Sequence, residues 1–343
     1  MTNKDYYIPY EKIVSDAVDV NISESLKLYN LTELQPIFDK RVGITKMRPF
    51  LTQLFYDING GYKNISETNS ISEISNLNMY LDNWIFDNKS GVREKKYSIE
   101  DITLNSGLLR EFNDIMISKI GLKPSLENIV KQLLNKCNVA CYKGQKIDLE
   151  LTVDIINQFE SDDEYIDFYI KKSTLQSGEL YGFSCYIGAF MVNGNKKKAE
   201  KAFEFGKLLG TGLHISNDLG DFTLFDNNDV SLKTYKDQMA DLMNGRLSLP
   251  IYFGLKYGNK NEVKVLNTVI KNGWNSTDEE KNNAKNAIIT SNSFKKSRKI
   301  IRKLHNNTKS YIKNNYDKSE TRDMISTLTS IIRSNKYLRN LSK

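Results

Sequence analysis

Only five prolines interrupt 343 residues, and the stretches between them repeat apolar residues at three- and four-residue spacing. Leu126, Ile129, Val130, Leu133 and Leu134 form one such stripe, and Ile300, Ile301 and Leu304 contribute to another. Proline inside a helix removes a hydrogen bond and clashes with the preceding turn, so a chain this poor in proline can run long helices. The spacing gives each helix one face to bury. The expected fold is all-α. Segments rich in Asn, Gly and Ser at 57–70, 226–229 and 271–277 break the pattern as turn-forming residues do. None is long enough to be an interdomain linker, and no repeat of solenoid length occurs. The chain therefore reads as one helical domain over 1–343, with 271–343 as a candidate appended basic helical layer.

At 39% apolar and 27% charged, the composition suits a large folded core and excludes disorder as the dominant state. The longest apolar run, 180–192, is shorter than a bilayer span and contains Ser184, so it reads as a core helix and not as an integral membrane segment. The opening MTNKDYYIPYEK has neither the apolar stretch of a signal peptide nor the Arg-rich face of a transit peptide, and a cytoplasmic protein is expected. Cys137, Cys141 and Cys185 are too few and too odd in number for a disulfide framework, and without neighbouring histidines no zinc site is expected. The net charge of +7 is uneven. Residues 294–343 carry 14 Lys and Arg against 3 Asp and Glu, or +11, which leaves −4 for the rest. Such runs usually form a solvated helical face, and the tail lacks the interleaved aromatics of a nucleic-acid platform, so no nucleic-acid partner is expected.

Two segments place carboxylate or amide oxygens one turn apart near the end of an apolar helix: NLNMYLDNWIFDNKSGVREKK and FGKLLGTGLHISNDLGDF. Asn83 and Asp87 are an i, i+4 pair, as are Asn217 and Asp221, while Asp218 and Asp221 are i, i+3, so each set shares a helix face. Asp82 and Asp87, at i, i+5, point about 140° apart. One such pair is usually a cap or a solvated face. Two facing clusters could hold magnesium if a diphosphate supplied further negative oxygens.

The order TKMRP at 45–49, DNWIFDN at 82–88 with Arg93, GQKIDL at 144–149, KKSTL at 171–175, GLHISNDLGD at 212–221 and DLMNGRLSLP at 241–250 resembles the trans-isoprenyl diphosphate synthase, or polyprenyl synthetase, family. That family carries GGKRxRP, DDxxD followed by RRG, GQxxDL, KT, GxxFQxxDDxxD and DLxxGKxTLP in the same order. The resemblance implies a large orthogonal helical bundle with its active-site cavity between helices, commonly in a homodimer. It further implies a magnesium-dependent enzyme that ionises an allylic isoprenyl diphosphate, the carbocation then attacking isopentenyl diphosphate. The metal-ligating candidates are Asp82, Asn83, Asp87, Asn217, Asp218 and Asp221. Lys46, Arg48, Arg93, Lys172, Lys236 and Arg246 are the substrate-binding candidates, with Lys172 and Arg246 expected to stabilise the departing diphosphate.

The departures from the pattern are as informative. The first aspartate motif aligns either through Asn83 and Asp87 without a gap or through Asp82 and Asn83 with one inserted residue. Asn217 replaces the leading aspartate of the second, and an amide oxygen brings no charge to offset an ion. On the side expected to take isopentenyl diphosphate, Thr45 stands at a lysine, Val92 at an arginine, and Ser75 or Asn76 where a histidine is frequent. His214 stands at the glutamine of the Phe-Gln pair, one turn before Asp218, where it either supports a ligand carboxylate or packs. In the ungapped alignment Asn78 and Met79 occupy the places that set product length in the family. An elongating prenyltransferase is the first reading. A terpene cyclase, or a prenyltransferase with another acceptor, is the alternative that a weakened second diphosphate site would permit. A non-catalytic partner subunit is the third.

Overall fold

A computed structural model describes residues 3–222 and 238–333. In chain order the helices are α1 (Asn3–Leu28), α2 (Gln35–Asp39), α3 (Met47–Ile58), α4 (Ser66–Phe86), α5 (Ser90–Arg93), α6 (Ile99–Lys119), α7 (Pro124–Glu150) and α8 (Asp162–Ser173). They continue with α9 (Glu179–Phe190), α10 (Lys196–Gly220), α11 (Ala240–Met243), α12 (Leu249–Tyr257), α13 (Lys260–Asn272), α14 (Asp278–Thr290), α15 (Asn292–Asn315) and α16 (Glu320–Leu328). Among the described residues there is no strand, only an isolated antiparallel bridge between Thr152 and Arg246. The all-α expectation holds.

The apolar run at 180–192 becomes α9, the innermost helix, buried from Leu180 through Phe190 apart from half-buried Tyr181. Among the described residues no helix is long and apolar enough to cross a membrane. Helices α3, α4, α7 and α10 surround α9. Close approach requires small residues at the crossings: a Cβ at Gly188 would overlap the Thr52 carbonyl of α3. There the Thr52 hydroxyl lies 3.0 Å from the Ser184 carbonyl and 2.8 Å from the Ser72 hydroxyl, which ties α3, α4 and α9 together.

Between α8 and α9 the chain forms one π-helical turn, Thr174–Gly178. Such a turn admits an extra residue and re-aims its neighbours, among them Lys172. It fits because α7 offers glycine opposite it: a Cβ at Gly144 would come within 2.7 Å of the Gln176 amide nitrogen. Gln176 in turn donates to Gln145 at 2.9 Å. These contacts give the Gly-Gln start of GQKIDL a packing reason. Hydrogen bonds from Arg246 to the Phe86 and Asp148 carbonyls, from Lys172 to the Asp148 side chain and from Tyr169 to Asp218 bring the C-terminal ends of α4, α7, α8 and α10 to one end of the bundle. Helix C-termini carry partial negative charge, so this end favours cations before any side chain is counted.

On α15, Ser297, Ile301, His305, Thr308 and Ile312 form the buried stripe, and the helix packs against α10 and α12. Lys295, Arg298, Lys299, Arg302, Lys303 and Lys313 are exposed on its other side. Residues 334–343 of the basic tail lie outside the described residues. All three cysteines are buried and free.

Candidate active site

Lys172, near the end of α8, is buried to 2% exposure, and its ammonium donates to Asp148 Oδ1 of α7 at 2.5 Å. Burial alone would lower its pKa, but Asp148, Asp218 and Asp241 outweigh it and the group is held above its usual value. Tyr169, one turn earlier on α8, donates its hydroxyl to Asp218 Oδ2 of α10. Arg246 follows α11. Its Nη1 donates to the Asp148 carbonyl at 3.0 Å and its Nη2 to the Phe86 carbonyl at 3.5 Å, while Nε is a buried donor with no hydrogen-bond partner. The Arg246 backbone is fixed by the bridge to Thr152, flanked by Val153 N to Gly245 O at 2.9 Å and Leu247 N to Leu151 O at 2.8 Å. Two cationic side chains thus sit rigidly at the meeting point of four helix ends.

Carboxylates outnumber cations around them. Burial pushes Asp218 up to about 6 against the pull of Lys172, with Asp148 and Asp87 adding to the rise. Burial, with Asp218 and Asp148, carries Asp241 up to about 7. Asp221 is pushed well above its usual value by burial and by Asp241, and Asp87 is raised by burial despite Lys89, whose ammonium lies 3.5 Å from it. Asp148 goes the other way: burial would raise it, but the charge and hydrogen bond of Lys172 hold it below its usual value. His214 is pushed down to about 3 by burial and by Lys172, so its imidazole is neutral. Aspartates that resist ionisation because they are buried, and further because they lie near one another, are relieved by a hard cation, and oxygen donors of this kind suit magnesium. Among the described residues, however, no three acidic, histidine or cysteine side chains come together as a ready-made metal site. Any ion bound between these walls would need further oxygens from a ligand.

The metal-ligating candidates therefore divide. Asp87, Asp218 and Asp221 join the mutually repelling set, whereas half-buried Asn83 and exposed Asn217 contribute no charge to it. Asp82 does not belong with them. Its Oδ1 accepts from Ser106 at 2.6 Å and its Oδ2 from Tyr142, so it is spent in the seam between α4, α6 and α7. A residue at i, i+5 from Asp87 points away from it, which favours the ungapped alignment. In the same seam Asn78 donates to Ser106 Oγ at 2.7 Å.

The other side of the cleft is sparser. Arg48 of α3 donates Nη1 to the Asn76 side chain of α4 and lies 4.3 Å over the Tyr181 ring. Its Nε is a buried donor without a partner. Ser75 faces α6 instead, accepting from Asn113 at 2.6 Å, so of the two candidates at the histidine place it is Asn76 that meets Arg48. Lys46 is not available to a substrate: it is 1% exposed, its ammonium pairs with Asp19 of α1 at 2.8 Å, and it donates to the Arg41 and Ile44 carbonyls. Arg93 donates Nη1 to the Asn88 carbonyl at 2.5 Å and stacks 3.3 Å from the Trp274 ring centre. Lys236 lies outside the described residues.

Sequence reasoning assigned no role to Asp148, Asp241, Tyr169 or Lys89. The two aspartates stood in quoted motifs, as the Asp of GQKIDL and the first residue of DLMNGRLSLP. Tyr169 sits at i, i+3 from Lys172, a spacing that could have revealed it.

The profile of the polyprenyl synthetase family matches residues 98–288, more than half of the chain. The protein belongs to the polyprenyl synthetase family. It is a prenyltransferase of isoprenoid biosynthesis, as that membership entails. Among curated proteins it is similar to a short chain isoprenyl diphosphate synthase of Methanocaldococcus jannaschii, 24% identical over 274 residues and 78% of each chain. Among solved structures it resembles a geranylgeranyl pyrophosphate synthetase from Pyrococcus horikoshii, with TM-score 0.74 at 15% identity over 96% of this chain and 99% of that one. A geranylgeranyl pyrophosphate synthetase from Geoglobus acetivorans gives the same TM-score, 0.74, at 17% identity over 94% and 99%. At these identities the structural likeness establishes the fold.

Proposed function

We propose that this family member elongates an allylic isoprenyl diphosphate with isopentenyl diphosphate, using magnesium. The observation that carries the reading is the crowding of Asp87, Asp148, Asp218, Asp221 and Asp241 around buried Lys172 and Arg246 at one end of the bundle. Asp87 on one wall and Asp218 and Asp221 on the other would hold the ions, with the diphosphate completing their coordination. Bound there, magnesium would neutralise charge on the leaving diphosphate as the allylic carbon–oxygen bond breaks. Lys172 and the unpartnered Nε of Arg246 are preorganised donors for the same oxygens and need no rearrangement as charge develops. Tyr169 holds the Asp218 carboxylate in one orientation. Neutral His214 adds no positive charge that would compete with the ions for the aspartates. Arg48 and Arg93 would take the acceptor diphosphate, and the working protein would be a homodimer.

The burial of Lys46, with Thr45 and Val92 in place of basic residues, favours one other reading: ionisation followed by cyclisation or by attack of a different acceptor. Incubation with magnesium and labelled allylic diphosphates, with and without isopentenyl diphosphate, separates the two. Longer diphosphates formed only with isopentenyl diphosphate support elongation. Hydrocarbons or alcohols formed equally without it contradict elongation and support cyclisation.

A further inference from the structure

Trp274 carries two contacts that no motif explains. It sits in a single 3-10 turn after α13, Gly273–Asn275. Gly273 has a φ of +54°, a backbone conformation that side chains rarely adopt, and this reverses the chain after α13. The turn brings the indole back to the cleft. Its Nε1 donates to Asn244 Oδ1 at 2.8 Å, and Asn244 Nδ2 donates to the Asp87 carbonyl at 3.0 Å. Its ring face lies 3.3 Å from the guanidinium carbon of Arg93. One side chain thereby connects the turn that carries Asp87 with the arginine six residues further on.

A guanidinium lying flat on an indole has its N–H groups in a plane parallel to the ring and its rotation about the stem restricted, and here Nη1 donates to the Asn88 carbonyl at 2.5 Å. Arg93 is a long side chain on the four-residue helix α5, and one hydrogen bond to Asn88 fixes the position of Nη1 but not the plane of the group, which the ring face sets. We propose that Trp274 is the positioning residue for Arg93: the stack sets the plane of the guanidinium, and the relay through Asn244 fixes that stack relative to Asp87, so that Arg93 meets the acceptor diphosphate prealigned. This rests on the reading that Arg93 serves isopentenyl diphosphate. Trp274 itself touches no reacting atom.

The test is calorimetric binding of isopentenyl diphosphate to the wild type, Trp274→Leu, Asn244→Ala, Arg93→Ala and the two double variants with Arg93→Ala, each checked for helicity by circular dichroism. No binding to the wild type overturns the acceptor reading and this proposal with it. Given wild-type binding, Trp274→Leu is expected to weaken it about fivefold to tenfold, the range of a partly desolvated cation–π contact. Asn244→Ala, which leaves the indole in place and serves if Trp274→Leu does not fold, should weaken it about twofold to threefold, roughly one lost neutral hydrogen bond. In the Arg93→Ala background neither substitution should weaken binding further, because there is no guanidinium left to position. Equal losses in both backgrounds, or no loss in the wild type, overturn the positioning role while leaving the acceptor reading intact.

Discussion

On the wall built from α7, α8 and α10, Lys172 has Asp148 at 2.5 Å and lies within the field of Asp218 and Asp241. On the wall built from α3 and α4, Arg48 donates to an amide and lies over an aromatic ring, and its neighbour Lys46 has turned back to Asp19. The family profile covers the first wall, with Asp148, Lys172, Asp218, Asp221, Asp241 and Arg246 inside 98–288, and leaves out Arg48, Asn76, Asp87 and Arg93. On the proposed function, the wall that would stabilise a departing diphosphate keeps fixed charges in a shielded place, and the wall that would hold the acceptor has fewer donors and depends more on how well each is oriented.

The largest expected effect lies on the dense wall. Lys172→Met and Asp218→Asn should each lower turnover by about 10² to 10³, the usual cost of losing one preorganised group at a developing charge. Asp218→Asn should do so without loss of fold, since burial already works against that carboxylate's ionisation. Thermal melts beside single-turnover kinetics check both halves. Wild-type turnover in both variants would erase the difference between the walls.

Lys46→Met sharpens the comparison from the other direction. Removing the ammonium leaves Asp19 without its buried partner, and breaking such pairs costs about 3 kcal/mol. Denaturant unfolding should register that loss, while the Michaelis constants of the active protein stay where they are. A raised isopentenyl diphosphate constant with unchanged stability would return Lys46 to the substrate site.

A smaller effect follows from the raised aspartates. Asp241 has its folded pKa carried up to about 7, so between its ordinary value near 4 and pH 7 the folded state binds more protons than the unfolded one. Stability from this group is then present at low pH and falls as pH rises through that window. Asp241→Asn removes the dependence. Its melting temperature should match the wild type near pH 4 and exceed it at pH 8 in magnesium-free buffer, by about 1 to 2 °C for each kcal/mol in a chain of this size. A constant offset across the range would mean that Asp241 does not titrate with the cluster.

Helical periodicity was legible in the sequence because it depends on neighbours three and four residues apart. The apolar run at 180–192 and the stripe at Ile301 and Leu304 needed nothing else. Asp87, Asp218 and Asp221 were legible for the same reason, since each sits at helical spacing within a motif. Lys46 was not, because its partner Asp19 belongs to a helix that only tertiary packing brings near. Asp82 and Asn83 could not be separated by alignment, and it took Ser106 and Tyr142, on two other helices, to show which way Asp82 points. Trp274 lies 181 residues beyond Arg93 and matches no motif; its link to Asp87 passes through Asn244, and no pattern along the chain announces a contact of that kind.

The division into two walls is tested most directly by steady-state kinetics of Arg48→Ala with each substrate varied in turn. A charge-assisted contact contributes about 1.5 to 3 kcal/mol, so the isopentenyl diphosphate constant should rise about tenfold or more while the allylic constant moves less than about twofold. Equal increases in both constants would contradict a separate acceptor wall.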